Sequence, residues 1–453
     1  MSNSKGNAHE FSLKVYVNKQ NTKVLFAEAD RDFVEVLISF LTLPLGTIVR
    51  VLRKHYGDNH DSAPVFGSIT TLYDGISKLD SVNFWTEGCK EVLLNPIRST
   101  FEDEYRILKV DINDNQQPNE SFTSSCGNPK CGNNWASCRS VYYDTAKCVR
   151  CQKIMTRKVD ERQSYGSSPL KISDDLHILP STVGFVQTVR NLGLTNTDVG
   201  TPRDVTLGYN EIMDLLKRSL VSETPISDVI LNKREVAKEA TDSNSEPKLI
   251  LKVMVHSPSN KLLYAQADDD FINFLFSSLA VPLGAVESVA GGNPCLKNIN
   301  NLHKSIPNIL NDKIAYKYLN TKERLMNPKL PHGYIPENPI LPFTEECESN
   351  SYRNVCLCSA NFPKGKGKYV KGPLMYNISD DLTVTPFCLF SFLSFLEREK
   401  IDVSDVKELE LEIGVEEAVS ILKASVTSTC ALTDAVNSIL KKTGRIKKPR
   451  KYY

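Results

Sequence analysis

The sequence carries no recognised catalytic signature. The GxSxG elbow of serine hydrolases, a GxGxxG run set between a strand and a helix, the P-loop, the kinase motifs and HExxH are all missing. A dominant charge is missing too. The chain has 55 basic and 54 acidic residues, a formal charge of +1, which removes any whole-molecule attraction for nucleic acid or an anionic membrane. Long apolar runs are also lacking. The start, MSNSKGNAHEF, has no apolar signal region, and the most apolar stretch, Phe387 to Leu396, is half of the roughly 20 residues that span a bilayer. The expectation is a soluble, intracellular chain of the cytoplasm or nucleus, with no membrane partner. Its 12 cysteines then read as thiols or metal ligands rather than disulfides.

What is present is a repeat. Leu13 to Gly46 aligns without a gap on Leu251 to Gly284, with 17 of 34 paired residues identical. ISDDL at Ile172 to Leu176 returns at Ile378 to Leu382, and the register holds to Asp228 and Asp434. The offset is 238 residues in the first block and 206 in the second. A period this long indicates a duplicated globular unit rather than a solenoid.

Each block can be read in both copies. Leu13, Val15 and Val17 alternate with Lys14 and Tyr16, residues 18–22 turn, and residues 24–29 continue as a second strand. Asp30, with Asp268 as its equivalent, stands at a helix N-cap, and Phe33, Val34, Leu37, Ile38 and Leu41 follow at helical spacing. Pro44 and Gly46 end or bend that helix. In the second block, residues 176–179 and 382–385 look extended and lead into apolar helices at 183–192 and 389–397. Short strands at 205–207 and 409–413 stop at Gly208 and Gly414, before amphipathic helices at 211–220 and 416–426.

The predicted fold class is α+β: a tandem duplication of a β-β-α unit plus a β-α-β-α unit, with a cysteine-rich loop inserted in each copy. The boundaries are a disordered N-terminus at 1–11, a first repeat at 12–232 (insert about 122–160) and a polar linker at 233–248. A second repeat follows at 249–440 (insert about 343–372), then a basic tail at 441–453.

The copies differ in cysteine. Copy one carries Cys126-x4-Cys131 and, after a loop, Cys148-x2-Cys151. Two short pairs suit a tetrahedral zinc site, each turn aiming two thiolates at one point, and Cys138 is a substitute ligand. One structural zinc is the expected cofactor; free thiols in a loop are the alternative. Copy two keeps Cys347 and Cys356-x-Cys358, a degenerate set, so the metal would brace a loop rather than serve catalysis.

Smaller features have bland readings beside the sharp ones. Asp174-Asp175 and Asp380-Asp381 suit acid/base work or, more simply, a turn. Lys364 to Gly372 (KGKGKYVKG) offers glycines and lysines to phosphate but lacks P-loop spacing, and reads as a solvated basic loop. The tail KKTGRIKKPRKYY has seven basic residues and no acid, a pattern of solvated ends, nuclear-import patches and nonspecific phosphate contacts.

The run LKVYVNKQNTKVLFAEADRDFVEVLISFLTLPLGTIVRVL, LLNP at Leu93 to Pro96 with its partner LMNP at Leu325 to Pro328, the central cysteine pairs, and ISDDL followed by LEIGVEEAVSILKASVTS resemble the plant family called domain of unknown function 674. The resemblance covers about Ser12 to Leu440 and implies plant origin, a duplicated unit and no established activity. It carries no functional residues. The family's central CxC or CxCG is replaced here by Cys148-Val149-Arg150-Cys151 and by Cys356-Leu357-Cys358 without the glycine.

Three function classes remain. The leading one is a non-enzymatic scaffold that binds protein partners through two diverged repeats. The second is zinc-dependent nucleic-acid binding through the Cys126 to Cys151 loop, where Trp135, Tyr142 and Tyr143 supply stacking surfaces, and the basic tail. The third is an enzyme without a recognisable motif.

Overall fold

Alternating apolar residues build the first hairpin. Phe11, Leu13, Val15 and Val17 are buried while Ser12 and Lys14 face solvent, the period-two pattern of a half-buried strand. The computed structural model describes residues 10–56, 66–96, 123–125, 139–140, 157–159, 170–179, 200–231, 249–309, 325–344 and 369–442, less 86, 201, 260, 291–295, 331–333, 337 and 373.

The first half runs β1 (Phe11–Val17), β2 (Val24–Ala29), α1 (Arg31–Ser39), α2 (Leu45–Tyr56), α3 (Gly67–Lys78) and α4 (Glu87–Leu94). Three short strands follow, β3 (Thr123–Ser125), β4 (Arg139–Ser140) and β5 (Arg157–Val159), then β6 (Leu170–Ser173), β7 (Ile178–Leu179), β8 (Arg203–Leu207), α5 (Tyr209–Val221) and α6 (Pro225–Leu231). The second half runs β9 (Leu249–His256), β10 (Lys261–Asp268), α7 (Asp269–Ser277), α8 (Leu283–Ala290) and α9 (Lys297–Ile309). It ends with β11 (Met375–Ile378), β12 (Val384–Pro386), α10 (Leu389–Glu399), β13 (Val406–Ile413), α11 (Val415–Thr427) and α12 (Ala431–Lys442).

Three of the described strands form a small sheet, β4-β3-β5, and the other ten form two antiparallel five-stranded sheets, ordered β7-β6-β2-β1-β8 and β12-β11-β10-β9-β13. Their registers correspond: Leu13 lies opposite Val205 as Leu251 lies opposite Leu411, and Ala27 opposite Ile172 as Ala265 opposite Ile378. Antiparallel sheets with helices packed on them make the chain α+β.

Asp30 and Asp268 cap α1 and α7, accepting from the backbone N–H of Phe33 at 2.9 Å and of Phe271 at 3.0 Å. The helix expected to reach Leu41 stops at Ser39, because the next turn tightens to a 3-10 turn over Phe40–Thr42. Pro44 then stands just before α2, where a missing N–H costs nothing.

The halves meet at that point. Pro44 and Pro282 pair in an isolated antiparallel bridge. Leu45 N donates to Val281 O at 3.0 Å and Leu283 N to Leu43 O at 2.9 Å, a reciprocal pair of bonds. From this crossing each half sends a helix into the other. α3 packs on α11, and α9 on β7 and α5. One apolar cluster, from Phe11 to Ile439, runs through both halves.

Candidate interaction surface

The aspartate pairs serve the backbone. In the ISDDL segment Ser173 N donates to His177 O at 2.9 Å and Leu176 N to Ser173 O at 3.0 Å, which folds β6 back onto β7. Leu176 and Leu382 take φ of 61° and 64°, a left-handed conformation that non-glycine residues enter rarely. Both side chains are fully buried, and that burial offsets the backbone cost. Asp175 closes the turn by accepting from Ser173 Oγ at 2.6 Å and pairs with Lys297 of α9 at 2.9 Å. Asp381 likewise accepts from Ser379 Oγ.

The first aspartate of each pair reaches the last helix of its half. Asp174 accepts from Ser227 N and Ser227 Oγ, both at 2.7 Å, and Asp380 accepts from Thr433 N at 2.7 Å. Ser227 Oγ in turn accepts from Val24 N at 2.7 Å. Burial pushes the Asp174 carboxyl up to about 6, against the opposing pull of the Ser227 hydrogen bonds. Asp174 ties turn, hairpin and terminal helix together, Asp380 ties its turn to its terminal helix, and apart from Lys297 every named partner of the four carboxylates is a main-chain or serine group. Each pair is a turn and cap, the bland reading of the sequence.

Cys126, Cys131, Cys138, Cys148 and Cys151 lie outside the described residues, as do Cys347, Cys356, Cys358, Trp135, Tyr142, Tyr143, the linker 233–248, the helix expected at 183–192 and the tail from 443 onward. The described strands around the first-half cysteines, β3 and β5 on the flanks and β4 between the two pairs, do pair: Ser125 lies opposite both Arg139 and Arg157. Among the described residues no three His, Cys, Asp or Glu side chains are grouped to hold a metal. Of the basic loop Lys364 to Gly372, the described end is anchored. Tyr369 N and Val370 N donate to Asn273 Oδ1 at 2.8 and 3.1 Å, and Tyr369 Oη to Tyr334 O at 2.8 Å. The hollow lined by Leu13, Phe33, Leu207, Leu215 and Ile226 is wholly apolar and too tight for a water molecule, a packing seam rather than a binding site.

One feature breaks the burial rule. α10 lies on the outer face of the second sheet through Leu396, Phe392 and Phe395, which pack on Met254, Leu263 and Tyr264. Phe392 meets the Tyr264 ring edge-on at 4.7 Å. Its opposite side is apolar and open: Phe390 is 77 % exposed, Leu389 60 % and Leu393 45 %, and beside the helix start Met375 and Phe387 are 40 and 45 % exposed. Phe387 N donates to Met375 O at 2.9 Å, so Met375 and Phe387 stand side by side on the outer face just ahead of the helix. Beneath it the Tyr264 hydroxyl is buried with no hydrogen-bond partner among the described residues, and burial pushes it far above its usual value.

The sequence offered a weak signal for this surface. LFSFLSFL is apolar nearly all round, more than one packing face of a surface helix needs.

Fold and surface together define an α+β chain of two like antiparallel sheets around one core, with an apolar helix face laid open. The chain belongs to the family described as Protein of unknown function (DUF674), whose profile matches residues 7–416 and 359–452. No curated protein and no solved structure matches it. No helix among the described residues is long and apolar enough to cross a membrane.

Proposed function

We propose that the chain is a non-enzymatic protein-interaction scaffold, a tandem duplication whose two modules share a core and present different surfaces. The observation that carries this reading is the open apolar face of α10, because a contiguous patch of that kind on a folded chain marks a contact site. Divergence between the halves supports it. The outer positions held by Tyr16 and Phe26 in the first sheet, rings stacked at 4.2 Å, are held by Met254 and Tyr264 in the second. Affinity capture from cells with the wild type and with a Phe390→Ser, Leu393→Ser variant tests the reading. Partners recovered by the wild type and lost by the variant are expected; an identical set from both would sink it.

A second reading keeps the cysteines. Cys126, Cys131, Cys148 and Cys151, with Cys138 as substitute, hold one structural zinc, and that loop with the basic tail contacts nucleic acid. The pairing of β3 with both β4 and β5 supports it, since strands on the flanks of the cysteine segment and within it converge on one small sheet. A mobility-shift assay at low salt with no shift would remove the nucleic-acid part.

A further inference from the structure

The open face of α10 has the size and character of half a dimer interface. Large apolar side chains carry about 150–250 Å² each, so the exposed parts of Met375, Phe387, Leu389, Phe390 and Leu393 amount to roughly 500 Å², towards the upper end of patches on monomeric proteins. Two such patches face to face bury about 1,000 Å², the figure a biological interface has to clear, before any polar rim is added. The patch needs no complementary charge from its partner. The other exposed side chains on this stretch of helix are the small, neutral Ser391 and Ser394, which leave room for close approach.

A lipid surface fits less well. Helices that lie on membranes carry lysine and arginine on the polar side, whereas α10 ends in Glu397, Arg398, Glu399 and Lys400, a balanced set. Balance also holds for the whole molecule. With a formal charge of +1, two copies meet without the repulsion that keeps strongly charged chains apart.

We propose that this face is a self-association surface whose occupant is a second copy of the chain, docked about a two-fold axis so that each patch covers the other. The inference rests on the scaffold reading and specifies the partner of its carrying surface. An isologous contact of this kind closes on itself and gives a dimer rather than a filament. Phe390, at the centre of the patch, is the anchor residue, with Leu389 and Leu393 on either side.

Sedimentation velocity on the full chain, from about 1 to 100 µM so that a micromolar dissociation constant is covered, tests the proposal. The wild type is expected to pass to a species of twice the 50.7 kDa chain mass. Phe390→Ser with Leu393→Ser weakens the dimer at least about 30-fold, the effect of losing a central aromatic anchor, with an unchanged circular-dichroism spectrum. Val82→Ser, at an exposed position of the 3-10 turn Ser81–Asn83, leaves the dimer intact. Should the double variant fail to fold, Phe390→Ser alone carries the test, since that side chain is mostly solvent-facing. A wild type that stays monomeric throughout overturns the proposal, and so does a dimer that the patch variant retains. Association seen only with added phosphatidylcholine vesicles overturns it in favour of lipid. A monomeric wild type whose captured partners are still lost in the patch variant removes self-association alone and leaves the scaffold reading standing.

Discussion

Asn298 in the second half donates its side-chain amide to the carbonyl oxygen of Ser222 in the first. Its counterpart is Ser68, which donates through Oγ at 2.8 Å to the carbonyl of Ser428, the residue that aligns with Ser222. The parallel continues along both helices. Asn301 donates to Asp175 O at 2.7 Å and Thr71 to Asp381 O. Each half therefore satisfies the helix end and ISDDL turn of the other.

Because α3 and α9 cross over, the halves should unfold together. Chemical denaturation of the wild type is expected to give one transition with coincident fluorescence and circular-dichroism curves. Asn298→Ala removes a donor from the buried Ser219 carbonyl and the half-buried Ser222 carbonyl and lowers stability by about 1–3 kcal/mol without splitting the transition. Two resolved transitions would contradict the shared core.

Close approach at the crossing demands glycine at specific positions. Gly67 opens α3 with φ of +50°, and a Cβ there would lie 2.5 Å from Ser425 O; at Gly284 it would lie 3.0 Å from Leu41 O. Gly67→Ala and Gly284→Val are each expected to cost about 1–3 kcal/mol through overpacking, Gly67→Ala the more because of its left-handed backbone. Urea midpoints within error of the wild type would refute the crossing geometry.

Asp174 makes stability depend on pH in a definite direction. Its carboxyl is raised from 3.8 to about 6, so between those values the folded chain binds more protons than the unfolded one. The contribution of this group is complete below about pH 4 and is lost as pH rises through about 6. Asp174→Asn keeps an acceptor for Ser227 N and abolishes the titration. The wild type should therefore lose up to about 3 kcal/mol relative to the variant between pH 4 and 7. A constant difference in stability across that range would show that Asp174 titrates normally.

Elemental analysis addresses the cysteines. The expected result is about one zinc per chain, lost when Cys148 and Cys151 are both changed to Ser, together with faster proteolysis of the central segment. Absence of metal from both proteins would leave free thiols as the account.

Local chemistry was legible in the sequence where one short pattern decides the outcome. The first hairpin follows from the alternation of Leu13, Val15 and Val17 and the apolar run after its turn, and Asp30 and Asp268 announce their helices because a carboxylate before an apolar run satisfies orphan N–H groups. The turn at Asp174-Asp175 was legible for the same reason. The left-handed Leu176 was not, since only tertiary burial makes that conformation tolerable for leucine. The correspondence of α3 with α9 was hidden too. Their matching core positions are Ile69 with Ile299, Leu72 with Leu302 and Ile76 with Ile306, all buried, while the polar residues between them differ. The run at Phe387 to Leu396 announced a helix, but only packing shows that Leu396 is covered and Phe390 is not.

The most direct test of the interaction surface is hydroxyl-radical footprinting of the chain in its native assembly and after dissociation. The account predicts that Phe387, Leu389, Phe390 and Leu393 are protected in the assembly and become reactive on release, while Val82 reacts equally in both states. Equal oxidation of the α10 face before and after dissociation would contradict it.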